Sequence, residues 1–214
     1  MTHLPDARLL NPLVVSALLA AALCAAAGLA VPPPEDLATA TLVERLVHNP
    51  FVLVIAFVGT WAFLYGLIQL WATGSTRKGG LAGWLSGQGR ERQLTKATDT
   101  VLAVDLFADQ WDFLAARRMA PLSYAVWVLP LLGFIGTVIG ISDAIGGLGT
   151  VFADGDRQQA LESVLGALRF AFDTTFAGLV LVIPVMALST WIELASDDAR
   201  DRAMRARFGA SATA

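Results

Sequence analysis

One cysteine, two histidines, two tyrosines and few charges set the first limits on this chain of 214 residues. A lone Cys24 forms no intrachain disulfide. His3 and His48 stand far apart without ligand-like spacing around either, so the sequence offers no metal site. A net charge of −3 gives no electrostatic footprint for nucleic acid. Phosphate-cradling glycine loops, Ser/His/Asp arrangements and internal repeats are also missing. The glycines after Thr73 lack nucleotide-loop spacing, and nothing points to an enzyme or a bound cofactor.

What is present is apolar. Hydrophobic residues make up 56% of the chain and charged ones 15%, with a mean hydropathy of +0.61. Such a composition belongs in a bilayer, and about 20 apolar residues are enough to cross it as a helix. Four runs qualify, predicting an all-α integral membrane protein with transmembrane helices over 9–31, 51–73, 121–145 and 170–192. The rest divides into an N-terminus (1–8), a linker (32–50), a helical segment (74–120), a loop (146–169) and a tail (193–214).

Orientation follows from the bias of Lys and Arg towards cytoplasmic loops. With both termini inside, 12 of the 15 basic residues are cytoplasmic, leaving Arg45, Arg157 and Arg169 outside. The linker and the 146–169 loop are then periplasmic, and segment 74–120 is cytoplasmic. The first run also has some character of a signal peptide, being Ala-rich and followed by Pro32, Pro33 and Pro34, but it is long for that role and is read as a retained helix.

Within the cytoplasmic segment, a Gly-rich stretch (Gly79 to Gly89) precedes a helical pattern. Leu94, Val101, Val104, Phe107, Trp111 and Leu114 recur at spacings of three, four and seven, giving an amphipathic helix whose apolar stripe needs cover. The linker segment Glu35 to His48 is read as a connector without assigned function. Alternating acids and bases from Glu193 to Arg207 suit a helix continuing the fourth span, and its arginines suit a lipid surface.

The informative residues lie on the third and fourth spans. Gly133, Thr137, Gly140 and Ala144 share one helix face, and Gly136 with Gly140 forms a GxxxG pair that admits another backbone. Thr137 sits near mid-membrane on that face. A buried threonine can simply return its hydroxyl to a carbonyl of the preceding turn, but the fourth span adds Asp173, Thr174 and Thr175 together, then Gly178 and Pro184. Asp173 lies about 3 Å along the axis from Thr175, and Asp143 about 9 Å from Thr137. Both acids fall on the outer side of the threonines. They are expected to form a cation-attracting mouth above a hydroxyl-lined passage, with a helix-end position for Asp143 and a favourable N-terminal turn for Asp173 as the simpler alternatives. Pro130 and Pro184 each remove an intrahelical hydrogen bond and predict bends near Val126 and Val180. Neither span has a carboxylate at mid-depth, so a titratable group is expected from a partner.

At these residues the chain resembles the MotA/TolQ/ExbB family of inner-membrane proton-channel subunits. PLLGFIGTVIGI (Pro130 to Ile141) is similar to the family pattern on the penultimate helix, and TTFAGLVLVIP (Thr174 to Pro184) to that on the last. The resemblance implies a bacterial inner-membrane protein forming a homopentameric ring around two copies of a single-span MotB/TolR/ExbD-type partner. The partner's aspartate would carry the ion, H+ or Na+, and the family's pore-lining threonines carry over onto Thr137 and Thr175. Four spans resemble the flagellar stator branch, but the cytoplasmic segment is much shorter than that branch's torque-generating domain. Asp173 departs from the commonest family pattern. A secondary transporter and an oligomeric scaffold are the alternatives outside this family.

Overall fold

The computed structural model describes residues 7–33, 40–74, 102–153 and 157–208, and every regular element among them is helical. The helices are α1 (Ala7–Ala30), α2 (Leu42–His48), α3 (Pro50–Gly74), α4 (Leu102–Ala153) and α5 (Arg157–Phe208). Four are long and apolar enough to cross a membrane, with spanning segments inside Pro12–Ala30, Pro50–Trp71, Trp111–Leu148 and Leu161–Asp201.

Local chemistry explains the short elements. Thr41 and Glu44 form a reciprocal capping box that starts α2: the Thr41 hydroxyl accepts from the Glu44 N–H at 3.4 Å, and the Thr41 N–H donates to Glu44 Oε2 at 2.8 Å. Arg45 and His48 fall in its last turn, where the carbonyl ends favour positive charge. Asn49 then ends α2 and begins α3. Its Oδ1 accepts from the Phe51 N–H at 3.0 Å and the Val52 N–H at 3.3 Å, while Pro50 occupies the first helical position, where no N–H is needed.

Two segments differ from the sequence reading. The loop expected over 146–169 is largely helix, since α4 continues to Ala153 and α5 starts at Arg157. Gly147 is a packing position there: a Cβ on it would stand 3.2 Å from Val164 Cγ2. The part of the amphipathic pattern from Leu102 onward runs into the third span as one helix, α4; positions 90–101 and the Gly-rich stretch before them lie outside the described residues. Glu193 to Arg207 likewise extends α5. Both long helices run unbroken through Pro130 and Pro184.

The described helices contribute to two compact units. In the first, built from the start of α1, α3 from Ala62, α4 to Tyr124 and α5 from Met186, Gly66 lies directly against Leu188 and near Leu122. The buried Tyr65 donates its hydroxyl proton to the Arg118 carbonyl at 3.1 Å and accepts from Gln69 Nε2 at 2.9 Å. Arg200 pairs with Asp112 at 3.1 Å between half-exposed side chains; at such exposure the pair adds little stability.

The second unit holds the remainder of α1, α2, α3 to Trp61, α4 from Ala125 and α5 to Val185. Its core is made of small and medium residues, among them Ile55, Leu129, Ala171, Ala177 and Val185. Glycines let the helices meet. A Cβ on Gly178 would stand 2.6 Å from the Leu129 carbonyl oxygen, and one on Gly140 would stand 2.6 Å from that of Ala167. Neither carbonyl can yield without moving a helix.

Gly178→Ala should therefore destabilise the protein by about 1–3 kcal/mol through overpacking, read as a lower unfolding midpoint in detergent. Gly146→Ala, with open space around its new methyl, should be neutral or stabilising because alanine favours the helix. Equal midpoints for the two variants would remove close packing as the reason for Gly178.

Candidate functional site

The site lies in the second unit, where α4 and α5 touch. Gly133, Gly136 and Gly140 are buried against α5: Gly136 meets Thr174 directly, and a Cβ on Gly133 would lie 3.1 Å from the Thr174 carbonyl oxygen and 3.2 Å from the Thr175 Cα. With backbones this close, short side chains on facing turns can reach one another.

Thr137 and Thr175 do so. Their hydroxyl oxygens are direct hydrogen-bond partners, and either can be the donor. Thr137 Oγ1 also lies 3.2 Å from the Gly133 carbonyl oxygen and 3.4 Å from that of Ala171, while Thr175 Oγ1 lies 3.1 Å from the Gly133 carbonyl. Each hydroxyl has one proton to give. The pair thus has two consistent arrangements, Thr137 donating to Thr175 with Thr175 donating to Gly133, or the reverse order ending on Gly133 or Ala171. Both residues are half-buried rather than sealed. The bond from Thr137 to Gly133 is the ordinary return to the preceding turn; the bond across to Thr175 is what that local explanation leaves out.

Thr174 does something different. It is fully buried, packs on Gly136, and donates its proton to the Ala171 carbonyl at 2.9 Å within its own helix. It fills the helix contact beside the hydroxyl pair.

The two acids are not brought to the threonines. Asp173 and Thr175 are two positions apart, so their side chains leave α5 about 200° apart around its axis. Asp173 turns to α2, where Arg45 grips its carboxylate at two points, Nε to Oδ2 at 3.1 Å and Nη2 to Oδ1 at 3.0 Å. The side chains are only 21% and 11% exposed for Arg45 and Asp173. The carboxylate's charge is thereby answered within the chain. The pair lines a cavity of about 360 Å³ together with His48, Pro50, Arg169 and Phe170, and Phe51 and Phe170 pack beside it with ring centroids 6.1 Å apart. The N-terminal-turn alternative for Asp173 falls away because α5 begins at Arg157. Asp143 is exposed and well inside α4, which continues to Ala153, so it is not at a helix end either. Within the single chain, neither acid is brought to the Thr137–Thr175 pair.

Arg45 is the residue that the sequence reading passed over. A signal existed: a carboxylate in an apolar helix demands a counter-charge, and the assigned topology left only Arg45, Arg157 and Arg169 on its side. Of the packing residues, Gly133, Gly136, Gly140 and Gly178 all lie in the α4–α5 contact; Pro130 and Pro184 stand in the same two helices without interrupting them. Among the described residues, no three His, Cys, Asp or Glu side chains gather as a metal site requires.

Comparison with known proteins bears on the same two helices. The family model of the MotA/TolQ/ExbB proton channel family matches residues 90–204, more than half of the chain, and contains the whole α4–α5 contact. No curated protein and no solved structure matches.

Thr174→Val should keep stability within about 1 kcal/mol, since only an intrahelical side-chain bond is lost. Thr174→Leu should cost about 1–3 kcal/mol by forcing bulk onto Gly136. Thermal unfolding of both variants decides the matter, and a severe loss with valine would show that the Thr174 hydroxyl does more than fill space.

Proposed function

The chain belongs to the MotA/TolQ/ExbB proton channel family, and from that premise we propose that it is the ion-conducting subunit of a motor or energy transducer in a bacterial inner membrane. It is a multi-pass membrane protein with four helices of spanning length. The observation carrying the reading is the Thr137–Thr175 hydroxyl pair, which joins the two motif-bearing helices within the matched segment. Hydroxyls with two interchangeable donor arrangements can hand on a proton or contribute oxygen ligands to a bare cation. They do not titrate near neutral pH. The group that takes up and releases the ion is then a carboxylate on a separate single-span chain of the MotB/TolR/ExbD type, because Asp173 is committed to Arg45.

The proposed assembly is a homopentamer around two copies of that partner, with H+ or Na+ as the only transported species and no resident cofactor. Large apolar side chains remain exposed along both helices, including Phe134 and Val138 on α4 and Phe172, Phe176 and Ile183 on α5. Sister subunits, the partner helix and lipid would cover these. The distribution of Lys and Arg supports both termini in the cytoplasm, which puts α2 and the Arg45–Asp173 pair on the periplasmic side. Flow of ions down their gradient would then drive movement of the ring against the partner.

Thr137→Val and Thr175→Val should each lower ion-coupled function or vesicle proton uptake, measured with the partner present, by at least about tenfold while the oligomer still assembles. Serine at either position should retain most of it, because the hydroxyl persists. Valine variants that conduct as well as the parent would take the hydroxyls out of the mechanism.

A further inference from the structure

A contact made of glycines brings helices close, and the α5 side chains seated in it, Thr174 on Gly136 and Ala171 on Gly140, are short. The hydroxyl pair needs the angle of α5 about its own axis fixed. With side chains reaching about 5 Å from the axis, a turn of about 20° carries a hydroxyl roughly 1.7 Å sideways, enough to break its hydrogen bond. A directional anchor on the far side of α5 adds to the hold that this packing has on the angle.

Asp173 is placed for this. It sits two residues before Thr175 and about 200° around the helix from it, so an anchor at one side chain sets the aim of the other. The anchor is directional: a planar guanidinium meets a carboxylate at two points, 3.0 and 3.1 Å apart from their acceptors, between side chains mostly withdrawn from solvent. Such pairs contribute modestly to net stability, and fixing one geometry is among their attested uses. The element bearing Arg45 suits the role. α2 has seven residues, none fully buried, with Leu46 and Val47 half-buried. Asn49 ties it without slack to α3, and the Arg45–Asp173 pair ties it to α5.

We propose that Arg45 and Asp173 are positioning residues for the Thr137–Thr175 pair: their ion pair fixes the rotation of α5 and so holds Thr175 against Thr137. This deepens the functional reading above by assigning α2 a part in aligning the hydroxyls, and it can fail or stand independently of ion conduction.

The test uses the full chain in membranes, with Cys24→Ser, Thr137→Cys and Thr175→Cys, and follows the rate of disulfide formation on mild oxidation. In this background the bond should form readily. Arg45→Lys, which keeps the charge but loses the two-point grip, should slow it by about tenfold, as expected for losing one charge-assisted hydrogen bond; Asp173→Asn should slow it further. The exchanged pair, Arg45→Asp with Asp173→Arg, should restore the rate. A rate unchanged by both single variants overturns the proposal. So does an exchanged pair that folds, judged by its unfolding midpoint, yet stays slow. If the rate follows the ion pair as expected while the same variants, with both threonines intact, conduct normally, the positioning role stands and the conducting role of the hydroxyls falls.

Discussion

The distance between α4 and α5 is the constraint on which everything else in this protein rests. Inside hydrocarbon, apolar helices gain nothing by leaving lipid for one another, so association depends on dispersion and on polar groups that meet across the contact. Gly133, Gly136, Gly140 and Gly178 bring the helices together so closely that at Gly140 and Gly178 even a methyl group would collide with a main-chain carbonyl. At that separation two threonines, among the shortest hydroxyl-bearing side chains, can touch. Longer polar residues on more widely spaced helices would bridge the same gap only by giving up several rotatable bonds of freedom.

The second unit answers its two polar demands on opposite sides of one helix. Towards α4, hydroxyls bond to each other and to carbonyls, with no net charge to bury. Towards α2, a full carboxylate is matched by a full guanidinium. Keeping these apart has an electrostatic use: a carboxylate beside the hydroxyl pair would draw cations into a fixed well, whereas neutral oxygens leave a passing ion weakly held. Asp173 is thus answered within the subunit by Arg45, and the proposed assembly assigns the titrating carboxylate to the partner.

Much of this was legible in the sequence, for identifiable reasons. Spanning helices announce themselves by length and hydropathy, and the glycine face of α4 follows from spacing alone, because intervals of three and four return to the same side. That Thr137 meets Thr175 is not written in either helix separately; the resemblance gives both a pore-lining role but no contact, because contact between helices depends on a crossing that no periodicity encodes. The Arg45–Asp173 pair was hidden for the same reason, its members being 128 positions apart. Distance along the axis places Asp173 near Thr175, but rotation about the axis turns it to Arg45. The missed helix between 146 and 169 has another cause, since glycine is ambiguous between punctuation and close packing until a neighbour such as Val164 is known.

The two interchangeable settings of the threonine protons carry one more implication. Both end on backbone carbonyls, that of Gly133 in one setting and that of Gly133 or Ala171 in the other. A wire with symmetric settings has no diode in it. In the proposed channel, direction would therefore be set from outside these two side chains, by the gradient across the membrane and by the partner.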